Sequence, residues 1–530
     1  MKRRLRVLPG ILLAMMLVLS LAGCQNSRTA DGQGVNAPQD QNGETKPEVI
    51  RLAGGDTGLP NPFKHYMRGP GMSKMQLLYD SLLEKSEEGD IPWLAKSWDV
   101  SDDGRVYTFH LEEKALWHDG KPLTAEDVAF SFAYYKDHPP VSNDLIANGK
   151  YLIESTKVLD EHTVEIKLPD FDNTYLSKIG FTRILPKHIW EKVSDPLTYE
   201  GEGAGVGSGP FVMEEYNPEQ GTYRYTAFPQ YWGLKPAVAA IEWVPASDGV
   251  MAFENGEIDL INATADVLTR YSGKPEYKVA TKPSYHSYRL MMNMEKRPEL
   301  QDVNLRRALA YGIDRQELVD KVDRGSATVS SMGYVPPDSP WYNPDIEQYP
   351  FNIQKSKDLL AGKTYAFEVL TGNTAPEVKV AELIKLTLAQ AGIDLTIKSV
   401  DSKVRDNAVK TGQYELLIIN SGGMGGDPDY LRSIYGKQSS TAALNQQNLM
   451  GYQNERINAL SQEQAVERDP AQRKDMIFRL QKLIAEDVPM IILQGAVDNY
   501  VYRPEKYDGW MFRYDHNKTD HNKLSYLKRS

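Results

Sequence analysis

The chain has 530 residues, enough for about three structural units of ordinary size. Hydrophobic and charged fractions of 41% and 25% suit a globular protein with a full-sized core and exclude a collagen-like or wholly disordered chain. With 61 Lys+Arg against 72 Asp+Glu the chain is acidic, which argues against nucleic acid as its partner, and its single cysteine excludes an internal disulfide and any zinc site built from several thiolates.

The N-terminus reads as an export signal. Lys2, Arg3, Arg4 and Arg6 precede an apolar run from Val7 to Leu21, which is short for a membrane span and leads into the small residues Ala22 and Gly23. Leu21-Ala22-Gly23-Cys24 resembles the lipobox of bacterial lipoprotein precursors. That resemblance implies removal of residues 1–23, acylation of Cys24 and attachment to the outer face of a cell membrane. Residues 24–47 contain no aromatic side chain and read as a solvated tether, with an end-to-end distance of roughly 25–30 Å. No later stretch approaches 18 apolar residues, so nothing else is expected to span.

From Glu48 the pattern is globular. Val106–Leu111 and Thr163–Leu168 alternate like half-buried strands, and Ala125–Tyr135 is apolar at helical spacing. Residues 303–322 divide into two helices, the second starting at Asp314 with Glu317 three residues on. Residues 364–420 carry the clearest signal. Tyr365–Leu370 reads as a strand, Thr374 opens a helix that runs to Ala391 and stops at Gly392, and Ile393, Leu395 and Ile397 alternate in a second strand. A short helix at 402–411 and the apolar run Tyr414–Asn420 follow. This alternation predicts a parallel sheet of α/β type, with ligand at the carboxyl ends of its strands. The loops at those ends are Thr371–Ala375 and Ser421–Tyr430; the second has four glycines.

Catalytic templates fail. There is no Gly-x-x-x-x-Gly-Lys-Ser/Thr loop and no His-Glu-x-x-His; Gly201–Pro210 does not fit Gly-x-Gly-x-x-Gly, and Ser208 is not centred in Gly-x-Ser-x-Gly. No enzyme activity and no cofactor are expected. His516 and His521, beside Asp515 and Asp520, are weak metal candidates in what reads better as a solvated loop. His110 and His118 read as structural.

A series of ordered motifs runs through the body. Among them are Leu59-Pro60-Asn61-Pro62, Ile91-Pro92-Trp93-Leu94-Ala95, Trp117-x-Asp119-Gly120-Lys121-Pro122, Leu185-Pro186-Lys187-His188, Gly207-Ser208-Gly209-Pro210-Phe211, Tyr231-Trp232-Gly233 and Gly256-Glu257-Ile258-Asp259. Along more than 400 residues the body resembles the extracytoplasmic substrate-binding proteins of dipeptide, oligopeptide and nickel importers of the ATP-binding-cassette class, solute-binding protein family 5. The resemblance implies a two-lobe α/β clamshell like the periplasmic binding proteins (type II, with an extra N-terminal subdomain). Lobe 1 would comprise residues 48–287 and 498–530, with the subdomain near 84–200, and lobe 2 residues 288–497. Crossings would fall at Tyr285–Asn293 and Val497–Arg503. A monomer would capture one peptide or similar small solute between the lobes and deliver it to membrane permease subunits. The alternatives are a metal-chelate (nickel) or oligosaccharide receptor of the same family, or a sensor or adhesin lipoprotein without a permease.

Most motif residues read as structural: Trp93, Trp98, Trp117, Tyr231 and Trp232 as packing aromatics, Gly207, Gly209 and Pro210 as a turn. The ligand-binding residues implied by the resemblance are Tyr66, Met72, Arg183, Tyr285, Tyr288, Met424, Asp427 and Asp429, with Arg513–His521 as a rim loop. Peptide binders of this family hold the ligand's amino group with an aspartate in the loop that here is Ser421–Tyr430. Met424 stands at that position and cannot form a charge-assisted bond. Asp427, before Pro428, reads as the cap of the next helix. Either Asp429 or another acid holds the amine, or the ligand has no free amine at this point; ordinary di- and tripeptides are therefore expected to bind weakly or in a different pose, with a modified peptide, a longer peptide or a metal chelate preferred.

Overall fold

The computed structural model describes residues 49–65, 71–87, 89–141, 143–147, 150–423, 425–436, 451–515 and 518–528. Cys24 and the segments read as signal and tether lie outside the described residues, as do Tyr66, Met424 and His516. Among the described residues no helix is long and apolar enough to cross a membrane.

Apolar side chains gather into two main bodies. The first gathers residues from Ile50 to Trp243 and closes with Tyr500, Tyr502, Tyr507, Trp510, Phe512 and Tyr526 from the end of the chain. It holds a four-stranded sheet in the order Val49–Gly54, Ala240–Pro245, Thr222–Ala227, Phe211–Asn217, with the first pair parallel. A second, antiparallel four-stranded sheet runs Ala95–Val100, Val106–Leu111, Thr163–Lys167, Ser155–Asp160. Its inward residues Tyr107, Phe109, Val164 and Ile166 are buried, as the period of two requires. Trp93, Trp117 and Tyr231 are buried in the first body, while Trp98 and Trp232 are only partly covered.

The second body surrounds a seven-stranded mixed sheet: Leu260–Asn262, Met490–Tyr502, Lys278–Met292, Leu416–Ser421, Tyr365–Gly372, Ile393–Val400, with Ala327–Val329 also on Met490–Tyr502. The strand–helix–strand pattern read from residues 364–420 is present. Tyr365–Gly372 pairs in parallel with Ile393–Val400 and with Leu416–Ser421, and helices Ala375–Ala391 and Ser402–Lys410 make the crossovers. Gly392 ends the first helix at φ +93°, which a side chain would resist. Residues 303–322 split into Val303–Gly312 and Arg315–Lys321, and Asp314 accepts the N–H of Glu317 at 3.0 Å.

Two long strands link the bodies. Lys278–Met292 and Met490–Tyr502 pair antiparallel along their length. Tyr500 and Tyr502 at one end pack in the first body; Leu290, Met292, Ile491 and Leu493 at the other pack in the second. The ladder is interrupted between Pro283 and Ser287, where Tyr285 adopts φ +56°. Gly207 and Gly209 are more than a turn: a Cβ on either would collide with the carbonyls of Leu77 and Leu78, and Gly209 donates to Leu78 O at 2.8 Å. Glycine is needed here because two backbones touch.

Candidate functional site

A cavity of about 480 Å³ lies between the bodies. Lys85, Glu87, Asp90, Phe512 and Arg513 face it from the first, Asp338–Pro340, Gly425 and Gly426 from the second, and Lys282, Pro283 and Tyr285 from the linking strand. A smaller cavity of about 150 Å³ shares Pro283, Tyr285 and Asp338 and is walled mainly by apolar groups, among them Tyr334, Val335, Pro336, Pro337 and Ile492. A dry apolar cavity of roughly that size holds a benzene ring. A third cavity, about 480 Å³, opens at the start of helix Ala375–Ala391, across from Ala263–Asp266. Both strand-end loops singled out in the sequence therefore border cavities, Thr371–Ala375 through Ala375 and Ser421–Tyr430 through Gly425 and Gly426.

Tyr285 divides the first two cavities. Its hydroxyl donates to Asp338 Oδ2 at 2.9 Å. Burial, then the Asp338 charge, push its ionisation well above the ordinary phenol range, so it stays a neutral donor. Tyr334 also takes positive φ, +62°, with the Arg289 guanidinium 4.9 Å from its ring centroid. Two bulky residues in the left-handed region beside one cavity are backbone strain held in place by their surroundings.

Of the eight ligand-binding residues named from the sequence, only Tyr285 lines these cavities among those described. Met72 opens the helix Met72–Leu78 and packs against the first core, and Tyr288 is 8% exposed in the second. Arg183 is 3% exposed, donates to Ser81 Oγ at 3.1 Å and lies 3.8 Å from Glu84. Arg432 and Gln464 each donate to the Asp429 carboxylate at 2.7 Å. Asp427 is corrected in part. It accepts the N–H of Asp429 at 2.9 Å in the turn entering helix Tyr430–Tyr435, but the N-cap is Asp429, and Arg473 grips Asp427 through two bonds of 2.7 and 2.8 Å. His521 Nδ1 lies 3.0 Å from Asp520, and the ring packs edge-on against Trp510 and Tyr526; among the described residues no group of three His, Cys, Asp or Glu side chains is arranged to hold a metal. His118 is structural: its ring accepts from Gly207 N at 3.1 Å and lies 3.0 Å from Gly209 O.

Arg513, from the loop read as a rim, lines the cavity, whereas Lys282 and Asp338 were missed, because they come from segments far apart in sequence with no motif between them. Arg513 rests on a buried ionic cluster. Lys523, 0% exposed, donates to Asp80 at 2.7 Å and lies 3.2 Å from Glu84, and Arg513 lies 3.5 Å from Glu84. Asp80 also accepts from the indole N–H groups of Trp93 and Trp232, at 3.0 and 3.2 Å, and from the Tyr231 hydroxyl at 3.3 Å. The aromatics of two sequence motifs thus converge on one carboxylate.

A cavity between two bodies joined by two strands, with charged residues of both signs on its walls, suits a small polar solute held between the bodies. The family model described as "Bacterial extracellular solute-binding proteins, family 5 Middle" matches residues 91–442, and the chain belongs to that family. Heme-binding protein A of Haemophilus influenzae is 29% identical to it over 486 residues, 82% of this chain and 86% of that protein. The dipeptide-binding protein of Escherichia coli K12 is 28% identical over 372 residues, 64% of this chain and 69% of that one. Among solved structures, the ABC-transporter substrate-binding protein CtaP of Listeria monocytogenes superposes with a TM-score of 0.75 at 25% identity, covering 86% of this chain and 93% of CtaP. The fold is the two-lobe α/β clamshell that the sequence motifs implied.

Proposed function

We propose that this protein is the receptor of an ABC importer, tethered outside the membrane through acylated Cys24, which captures a peptide or similar small solute between its lobes and hands it to a permease. Lobe 1 is taken as residues 48–287 and 498–530, with the subdomain near 84–200, and lobe 2 as residues 288–497. The observation that carries the reading is the 480 Å³ cavity, bordered from both bodies and bearing Lys85, Lys282 and Arg513 as well as Glu87, Asp90 and Asp338. Charges of both signs suit a zwitterion. An apolar side chain beside them suits the 150 Å³ cavity behind Tyr285. Asp427 and Asp429 are occupied by Arg473 and by Arg432 with Gln464, so a ligand's amino group would meet Glu87, Asp90 or Asp338 instead.

Calorimetry with tripeptides Gly-X-Gly, where X is Gly, Leu, Phe or Glu, and with longer peptides, tests this. Peptides with one apolar side chain are expected to bind best, one per chain. Tyr285→Ala is expected to weaken them about tenfold, which is about 1.4 kcal/mol, while Tyr285→Phe keeps the wall and most of the affinity. Silence across the whole peptide set would rule out the peptide reading. For whichever peptide binds, the radius of gyration should fall at saturation, since solute touching both lobes favours the closed form by its differential affinity. An unchanged radius would count against closure.

A further inference from the structure

The lobes also meet away from the cavities. The turn after strand Thr163–Lys167 carries Asp172 and Asn173 from the first body to the end of helix Glu455–Val466 in the second. Asn173 Nδ2 donates to the carbonyls of Glu467, Ala465 and Gln464 at 2.7, 3.0 and 3.2 Å, and its backbone N–H donates to Ala465 O at 2.8 Å. The last carbonyls of a helix have no partner inside it; here the other lobe supplies one. Beside it Asp172, 5% exposed, pairs with Arg432 at 2.7 Å. Arg468 donates to the carbonyls of Asp102 and Asp103 and lies 4.8 Å from the centroid of the Phe171 ring. None of Asp172, Asn173, Arg432, Gln464 and Arg468 lines any of the three cavities.

Arg432 belongs to two sets of contacts. It also donates to Asp429 at 2.7 Å; Gln464 donates to Asp429 and accepts from Arg473 at 3.2 Å; Arg473 holds Asp427. Asp427 follows Gly425 and Gly426, which border the 480 Å³ cavity. A continuous line of polar contacts thus runs from the cavity loop to the inter-lobe contact.

We propose that this clasp fastens the lobes from outside the cleft, with Arg432 shared between it and the cavity loop, so that residues that never touch the solute help set its affinity. The clasp is polar, so parting it exposes hydrogen-bonding groups that water can satisfy, as a reversible inter-domain contact requires. The Asp172 carboxyl keeps its charge at neutral pH. Burial pushes it up, but Arg432 and the Thr174 hydrogen bonds outweigh burial and hold it below the usual range. Apparent affinity scales with the fraction of molecules in the binding-competent form, and a clasp that favours closure raises that fraction. A second cross-lobe pair, Asp266–Arg324, joins side chains that are 54% and 66% exposed, and pairs of that kind contribute little.

Small-angle scattering on the full purified chain without added solute tests the proposal, and because it needs no ligand its outcome is separate from that of the peptide reading. The double variant Asp172→Asn/Asn173→Ala is expected to show a larger radius of gyration than the wild type, and Arg324→Ala an unchanged one. If the double variant loses its cooperative thermal transition, Asn173→Ala alone, which leaves Asp172 and Arg432 paired, carries the same test. A scattering curve that superposes on the wild type, or an equal expansion in Arg324→Ala, would overturn it.

Discussion

Lys523→Met is expected to destabilise the first lobe by about 3–5 kcal/mol, the usual cost of removing one partner from a buried ion pair. Lys523 is fully buried and serves Asp80 and Glu84, which are 0% and 2% exposed. Methionine keeps the length of the side chain, so the loss reports charge rather than volume. Glu84 gives the prediction a pH signature. Burial pushes its carboxyl up, but Lys523 first and then Arg183 and Arg513 outweigh burial and bring it to about 2 from an ordinary 4.5. The folded value lies below the unfolded one, so the stabilisation is complete above about pH 4.5 and is lost as the pH falls toward 2. Without Lys523, Glu84 takes its proton at higher pH and acid unfolding should begin earlier. Denaturant melts from about pH 7 to about pH 2.5 would show both effects; a variant that melts like the wild type throughout would mean that the cluster adds no net stability.

Cys24→Ala is expected to move the protein from the membrane fraction to the soluble one. The expectation rests on Leu21-Ala22-Gly23-Cys24 after a short apolar run and on the polar stretch behind it. Each buried CH₂ of an acyl chain contributes about 0.8 kcal/mol, so two or more chains hold a protein at a bilayer while none leaves it free. Fractionation of cells expressing either form, with mass spectrometry of the N-terminal peptide, checks this. A wild-type N-terminus without lipid, or a variant that stays with the membrane, would refute the anchor.

The sheet of residues 364–420 was legible because its signals are local: alternating Ile393, Leu395 and Ile397, a helix closed by Gly392, an apolar last strand. The strands Val106–Leu111 and Thr163–Lys167 were legible for the same reason. The site was not. Asp429 looks like a free acid in a glycine loop until folding brings Arg432 and Gln464 to it. Arg183 carries no sequence mark of burial; Ser81 and Glu84, about a hundred residues upstream, decide it. Tyr285 was found through the family motif, but the strain at φ +56° and the Asp338 partner that give it a role have no local sequence signal.

The first lobe is completed by residues far down the chain from those they pack on. Lys523 reaches Asp80 across 443 positions and Arg513 reaches Glu84 across 429, and Tyr526 closes the core that Ile50 opens. Contacts this distant in sequence are slow to form. Without residues 510–526, Asp80 would lose Lys523, Glu84 would keep only Arg183, and the core would lack its aromatic cap. The first lobe therefore cannot lock before residues 510–526 have joined it, however early its other strands pair.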